Sequence, residues 1–244
     1  FDVEAADLRR LIDKTRFAIS TEETRYYLNG VYLHTADGDK GKVLRAVATD
    51  GHRLALADCE APAGAENLDG VIVPRKAIAE VRRLIDSADG DVSVSVSETK
   101  IVFRAGRAVL TSKLIDGSFP DYQRVIPKGN DKRLVIDNKS FEAAVDRVST
   151  VSAERSRSVK LSLEDGKVVL AVNSAETGQG HEEIECDYGA DPMEIGFNAK
   201  YLLDVTAQIE AEDAEFMLND PASPALILDP ADPAARYVLM PLRV

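Results

Sequence analysis

Asp50, Gly51, His52 and Arg53 put a carboxylate, an imidazole and a guanidinium within four residues, as near to an acid–base pair as the chain comes. An imidazole titrates close to neutrality and a carboxylate can orient it, so a cleft hydrolase built on Asp50 and His52 is one reading. The other is a turn: Asp-Gly reverses the chain between strand-like runs at 43–49 and 53–57 and leaves its neighbours for binding. Other chemistries lack their spacing. His34, His52 and His181 never fall three or four apart, and His181-Glu182-Glu183 lacks the second histidine of a zinc-protease helix, so no metal is expected. The chain has no GxxxxGK[ST] loop, no GxGxxG and no GxSxG elbow. Gly178-Gln179-Gly180 reads as a turn between strands. Cys59 and Cys186 stand far apart without a partner at redox or metal spacing and read as reduced thiols. No catalytic residue and no cofactor is expected.

Cations offer a different chemistry. Over 74–86, Arg75, Lys76, Arg82 and Arg83 repeat at a seven-residue interval away from an apolar stripe of Ile78, Val81 and Ile85. The first helix carries Arg9, Arg10, Lys14 and Arg16. Such faces are usually just solvated, but within an acidic chain they also suit loose, sequence-independent contact with phosphates. The apolar end, Tyr237-Val-Leu-Met-Pro-Leu-Arg-Val244, is either simple core or one side of a docking patch with Pro241 at an edge.

The elements that position these residues recur. Helical spacing at 5–17 is followed by strand-like runs at 25–34, 43–49 and 53–57. A helix opens after Val73-Pro74, and strands return at 92–96, 101–105 and 108–115. The second half repeats the plan with a helix at 138–151 and a hairpin at 159–172 turned on Asp165-Gly166. A strand leads into a helix over 193–209, and strands follow at 214–218, 225–228 and 237–242. This predicts an α+β fold of two tandem domains, 1–124 and 134–244, each with two helices on antiparallel strands, joined by a linker at 125–133.

Bulk properties agree with a globular chain. Its 244 residues are 45% apolar, with no uninterrupted apolar run of membrane-spanning length. The net charge of −12 argues against a simple nucleic-acid binder. Residues 1–133 are balanced at 21 cationic and 21 acidic side chains, whereas 134–244 hold 9 and 21, so the two halves differ in surface. The start at Phe1 rather than Met suggests a trimmed product.

RYYLNG (25–30), ATDGHRLA (48–55), VPRKAI (73–78), TSKLIDGSFPDYQRVIP (111–127), MEIGFNAKYLLDV (193–205) and YVLMPLRV (237–244) resemble the β subunit of bacterial DNA polymerase III, the sliding clamp. The strings run in order over essentially the whole chain. The resemblance implies the second and third of three similar clamp domains, a cytoplasmic bacterial protein without catalysis, and no membrane partner. It implies that two full-length subunits close a ring on duplex DNA, tethering polymerases as a processivity factor. A chain without the first domain would be a monomer, its orphaned ring interface near Thr150 and Val151. Helices line such a ring, so Arg9, Arg10, Lys14, Arg75, Lys76, Arg82, Arg83, Lys139, Arg147 and Lys200 are expected to face DNA. The family also has a pocket for short peptides of polymerases, the clamp loader and repair proteins, which carry a motif of glutamine followed by Leu and Phe (Gln-Leu-x-Leu-Phe type). Carried over, its deeper wall is Leu28, Thr49, Gly51, His52, Arg53, Leu54, Pro120, Arg124, Val125, Val238 and Met240. Its shallower part is Arg25, Tyr27, Tyr201, Pro241, Leu242 and Arg243. A purely structural scaffold without a ligand is the remaining alternative.

Overall fold

The structure, a computed structural model, describes residues 1–88, 90–151, 158–174 and 178–243. Two compact units divide it, Phe1–Asp121 and Tyr122–Val244.

In the first unit a strand–helix–three-strand plan occurs twice. One copy is β1 (Asp2–Glu4), α1 (Ala5–Thr15), β2 (Gly30–Gly38), β3 (Gly41–Thr49) and β4 (Arg53–Glu60). The other is β5 (Val71–Pro74), α2 (Arg75–Leu84), β6 (Asp91–Val96), β7 (Lys100–Ala105) and β8 (Ala108–Lys113). The copies exchange their opening strands: β1 pairs with β6, and β5 pairs with β2, all antiparallel. Each sheet therefore includes a strand from the other copy. The helices bury apolar stripes, Leu8, Leu11 and Ile12 on α1 and Ile78 and Val81 on α2 as the spacing predicts, with Ala77 beside them and Ile85 buried just past the helix end.

The second unit repeats the exchange. Its elements are β9 (Lys132–Asp137), α3 (Asn138–Ser149), β10 (Ser158–Glu164), β11 (Lys167–Ser174), β12 (Gly178–Glu185), a two-residue β13 (Asp187–Tyr188), β14 (Met193–Asn198), α4 (Ala199–Thr206), β15 (Asp213–Leu218), β16 (Ala225–Leu228) and β17 (Ala235–Leu239). Here β9 pairs with β15 and β14 with β10. The Asp165-Gly166 hairpin forms as its sequence dictates, with Glu164 opposite Lys167 and Gly166 at φ +75°, a conformation glycine adopts without steric cost.

Three local expectations need correction. The run 25–34 is not one strand. Tyr26–Leu28 form a one-turn helix closed by Leu28 N–H to Arg25 and Asn29 N–H to Tyr26, and β2 starts at Gly30. Gly30 lies so close to β5 that a Cβ there would sit 2.3 Å from the Val73 carbonyl oxygen, so only glycine permits the entry. Gly178–Gly180 are not a turn but the start of β12, in register opposite 172–174. The stretch 125–133 is not wholly a connector, because β9 begins at Lys132 and the Asn130 amide donates to the carbonyls of Met217 and Pro224.

Candidate functional site

In the first unit the expected binding residues gather on the turn from β3 to β4. The Asp50 carboxylate accepts from the backbone N–H groups of His52 (2.9 Å) and Arg53 (3.0 Å), and from Arg53 Nε (3.1 Å). The Thr49 hydroxyl donates to the Arg53 carbonyl at 2.7 Å and accepts from Gly51 N–H at 3.1 Å. Gly51 holds φ +89°, a region closed to most side chains. Both Asp50 oxygens are therefore spent on the turn, which gives Asp50 a structural task. His52 projects into solvent.

Arg53 is nearly buried. Its guanidinium donates to the Phe17 carbonyl at 2.7 Å and stacks over the Phe17 ring, 5.3 Å from the centroid. The one-turn helix Tyr26–Leu28 is held beside it. Ser20 N–H donates to the Leu28 carbonyl, and Arg25 Nη1 lies 2.4 Å from where a Cβ on Gly51 would be. Tyr26 and Tyr27 meet edge to face at 5.8 Å, and Tyr27 Cβ is 3.1 Å from a Cβ placed on Gly117. Leu28, Thr49, Arg53 and Leu54 are buried, while Gly51, His52 and Pro120 reach solvent.

In the second unit Arg124 ends the one-turn helix Tyr122–Arg124, and Val125 is 46% exposed. Val238 and Leu239 are buried at the end of β17, but Met240, the next residue, is 39% exposed. The chain thus leaves the core at Met240. Leu242 N–H then donates to the Gly196 carbonyl at 2.8 Å, pinning the terminal segment against β14. Pro241, Leu242 and Arg243 line a cleft of about 880 Å³ together with Met193 and Pro221. Tyr201, half-buried, sits in the first turn of α4.

The ten expected DNA-facing cations divide sharply. Lys14 is 5% exposed and cannot offer its ammonium to a phosphate, because α1 turns that face inward. Arg9 and Arg10 donate to the carbonyls of Ile85 and Asp58, each at 2.7 Å. Arg82 pairs with Asp13 and Asp86, Arg83 with Glu80, and Arg147 makes a two-pronged bond to Glu182 at 2.6 and 2.7 Å. Arg75, Lys76, Lys139 and Lys200 are exposed and make no side-chain hydrogen bond or ion pair among the described residues. Each lies in the first turn of its helix, and Lys76, Lys139 and Lys200 occupy the same second position of α2, α3 and α4. No acid lies in those three first turns. Cations there oppose the helix dipole, at a cost of about 0.3–1 kcal/mol each. The helix dipole does not explain them, although Lys139 has the N-cap carboxylate of Asp137 beside it.

At the other end of α3, Thr150 Oγ1 donates to the Arg147 carbonyl at 2.7 Å, and Val151 Cγ2 lies 3.0 Å from a Cβ placed on Gly180. The expected ring-interface pair therefore sits where α3 meets the edge strand β12. Sequence reasoning missed Glu22, which binds Arg25 through both oxygens, although its three-residue spacing was readable. It also missed Phe17, whose role depends on a contact with Arg53, 36 residues away in sequence. Among the described residues no acidic, histidine or cysteine cluster could hold a metal, and no helix is long and apolar enough to cross a membrane.

Residues 2–121 match the family model of the DNA polymerase III beta subunit central domain, and residues 123–243 match that of its C-terminal domain. The chain belongs to this family. The beta sliding clamp of Caulobacter vibrioides is 62% identical over 99% of this chain, and that of Escherichia coli K12 is 39% identical over 100% of this chain. The chain spans 65% of the length of each of these beta subunits. A crystal structure of the C. crescentus beta sliding clamp, with PEG bound to a putative beta-motif tethering region, superposes with a TM-score of 0.97 at 61% identity, covering 100% of this chain and 65% of that one. The Bartonella birtlesii clamp bound to griselimycin gives 0.97 at 51%, covering 100% of this chain and 66% of that one.

Proposed function

We infer that the chain supplies the DNA-tethering and peptide-docking parts of a sliding clamp, and that it takes no catalytic part itself. One observation carries the tethering role: Lys76, Lys139 and Lys200 repeat at one position of three helices, exposed, unpaired among the described residues and against the helix dipole. A phosphate beside each would satisfy both the ammonium and the helix N-terminus. Long flexible lysines on a backbone give contacts that hold without reading sequence, as sliding requires. In the full-length protein such helices would line a homodimeric ring on the bacterial nucleoid.

Short peptides from polymerases, the clamp loader and repair proteins would dock in the first unit on the residues around the Asp50–Leu54 turn, and the second unit offers a docking surface of its own on the segment from Met240 to Arg243. An exposed methionine beside proline and leucine suits an apolar anchor, and Arg25 and Tyr27 suit polar contacts. The tethering role is tested by the salt dependence of duplex binding. Replacing the three lysines by alanine should lower the slope of log K against log salt by up to about 2.7. An unchanged slope would remove these lysines from the DNA contact.

A further inference from the structure

Arg25 already holds a carboxylate. Its Nε donates to Glu22 Oε2 at 2.9 Å and its Nη2 to Glu22 Oε1 at 2.7 Å, the parallel two-bond geometry in which guanidinium groups recognise acids. The remaining nitrogen, Nη1, has no acceptor among the described residues and lies on Gly51, whose lack of a side chain gives it room. This places the guanidinium directly on the turn that carries His52. The acid holding it belongs to the same exposed loop, three residues earlier, and its side chain is 52% exposed.

We propose that Glu22 is an internal stand-in for a ligand carboxylate: it occupies Arg25 in the free protein and is exchanged for an acidic residue flanking the docked peptide. The proposal rests on the peptide-docking reading and adds the selection rule for that site. A peptide with a neutral residue near Arg25 leaves the Glu22 pair intact and gains nothing from the guanidinium. A peptide with Asp or Glu there must displace Glu22, which replaces one exposed ion pair by another and yields little net affinity. Glu22 thus sets the site against acidic flanks. Losing it would turn Arg25 into an open carboxylate receptor. The geometry needs no backbone movement, because a rotation of the Glu22 side chain vacates both nitrogens. Glu22 acts here as a specificity residue through Arg25.

The test uses the whole chain and two fluorescent peptides of Gln-Leu-x-Leu-Phe type that differ only in a flanking Glu or Gln. The wild type should bind both within about twofold, and Glu22→Gln should bind the Glu peptide about three- to fivefold more tightly while leaving the Gln peptide unchanged. Arg25→Ala should erase that gain when combined with Glu22→Gln. A gain for both peptides alike, or for neither, would overturn the exchange while leaving docking intact. No saturable binding of either peptide would defeat docking itself, and the exchange with it. An independent readout is the Glu22 carboxyl signal in NMR. Hydrogen bonding from Arg25 holds this carboxyl below its ordinary pKa in the free chain, and addition of the Glu peptide should return it toward that value. A signal that ignores the Glu peptide at saturation would also overturn the proposal.

Discussion

Asp50 Oδ2 accepts from Arg53 Nε at 3.1 Å while Asp50 Oδ1 accepts from the backbone N–H of the same arginine at 3.0 Å. A single carboxylate therefore fixes both the turn and the buried guanidinium whose far side reaches Phe17. The Asp50 and Arg53 side chains are 15% and 8% exposed, so this pair works largely out of water. Asp50→Ala should leave the Arg53 charge buried without its carboxylate and destabilise the chain by about 2–4 kcal/mol. Asp50→Asn keeps an acceptor for the turn and should cost less. Urea unfolding of both variants checks the order.

Lysine at the second position of α2, α3 and α4 predicts an opposite pairing of stability and function. Lys76→Glu, Lys139→Glu and Lys200→Glu should each leave stability unchanged or raise it by about 0.3–1 kcal/mol, because an acid there suits the helix N-terminus. The same changes should weaken duplex binding. A triple variant that melts lower than the wild type would show these lysines to be structural.

Burial holds the His34 imidazole below its ordinary pKa, with the Arg45 guanidinium acting the same way and Asp58 opposing it. The folded state therefore favours neutral His34, and the unfolded chain binds its proton first as pH falls. The stability from this group is complete above about pH 6.5, and it is lost as pH drops from there through the folded value. The urea midpoint should fall between pH 7 and 5, and His34→Gln should flatten that part of the profile. Carboxylates held low by hydrogen bonds, such as Asp137 beside Ser140, lose their share only in more acidic solution. An equal slope in wild type and variant would free His34 of this role.

Val238 and Met240 separate core from surface within three residues. Val238 is 2% exposed and Met240 39%. Val238→Ala should cost about 1–3 kcal/mol of stability, in the range for deleting buried methyl groups, whereas Met240→Ala should cost well under half of that. Thermal denaturation distinguishes them.

Much of this fold was legible because its helices and hairpins are local. The stripes of α1 and α2 and the Asp165-Gly166 turn follow from spacing alone. The strand exchange within each unit was not legible, since β1 with β6 and β5 with β2 are pairings between distant segments that periodicity does not encode. Gly178-Gln179-Gly180 misled because glycine usually marks a turn; here its absent side chain lets edge strand β12 approach Val148 and Val151. The cationic faces were visible, but their availability was not. Lys14 and Lys76 look alike in sequence; one is buried and the other exposed, and only packing separates them.

Peptide docking at the Met240 segment is the claim most open to direct test. Calorimetric titration of the whole chain with a Gln-Leu-x-Leu-Phe-type peptide should give saturable one-to-one binding that Met240→Ala weakens by about 1–3 kcal/mol. Affinity unchanged in a correctly folded Met240→Ala variant, or no saturable heat from the unmutated chain, would contradict the account.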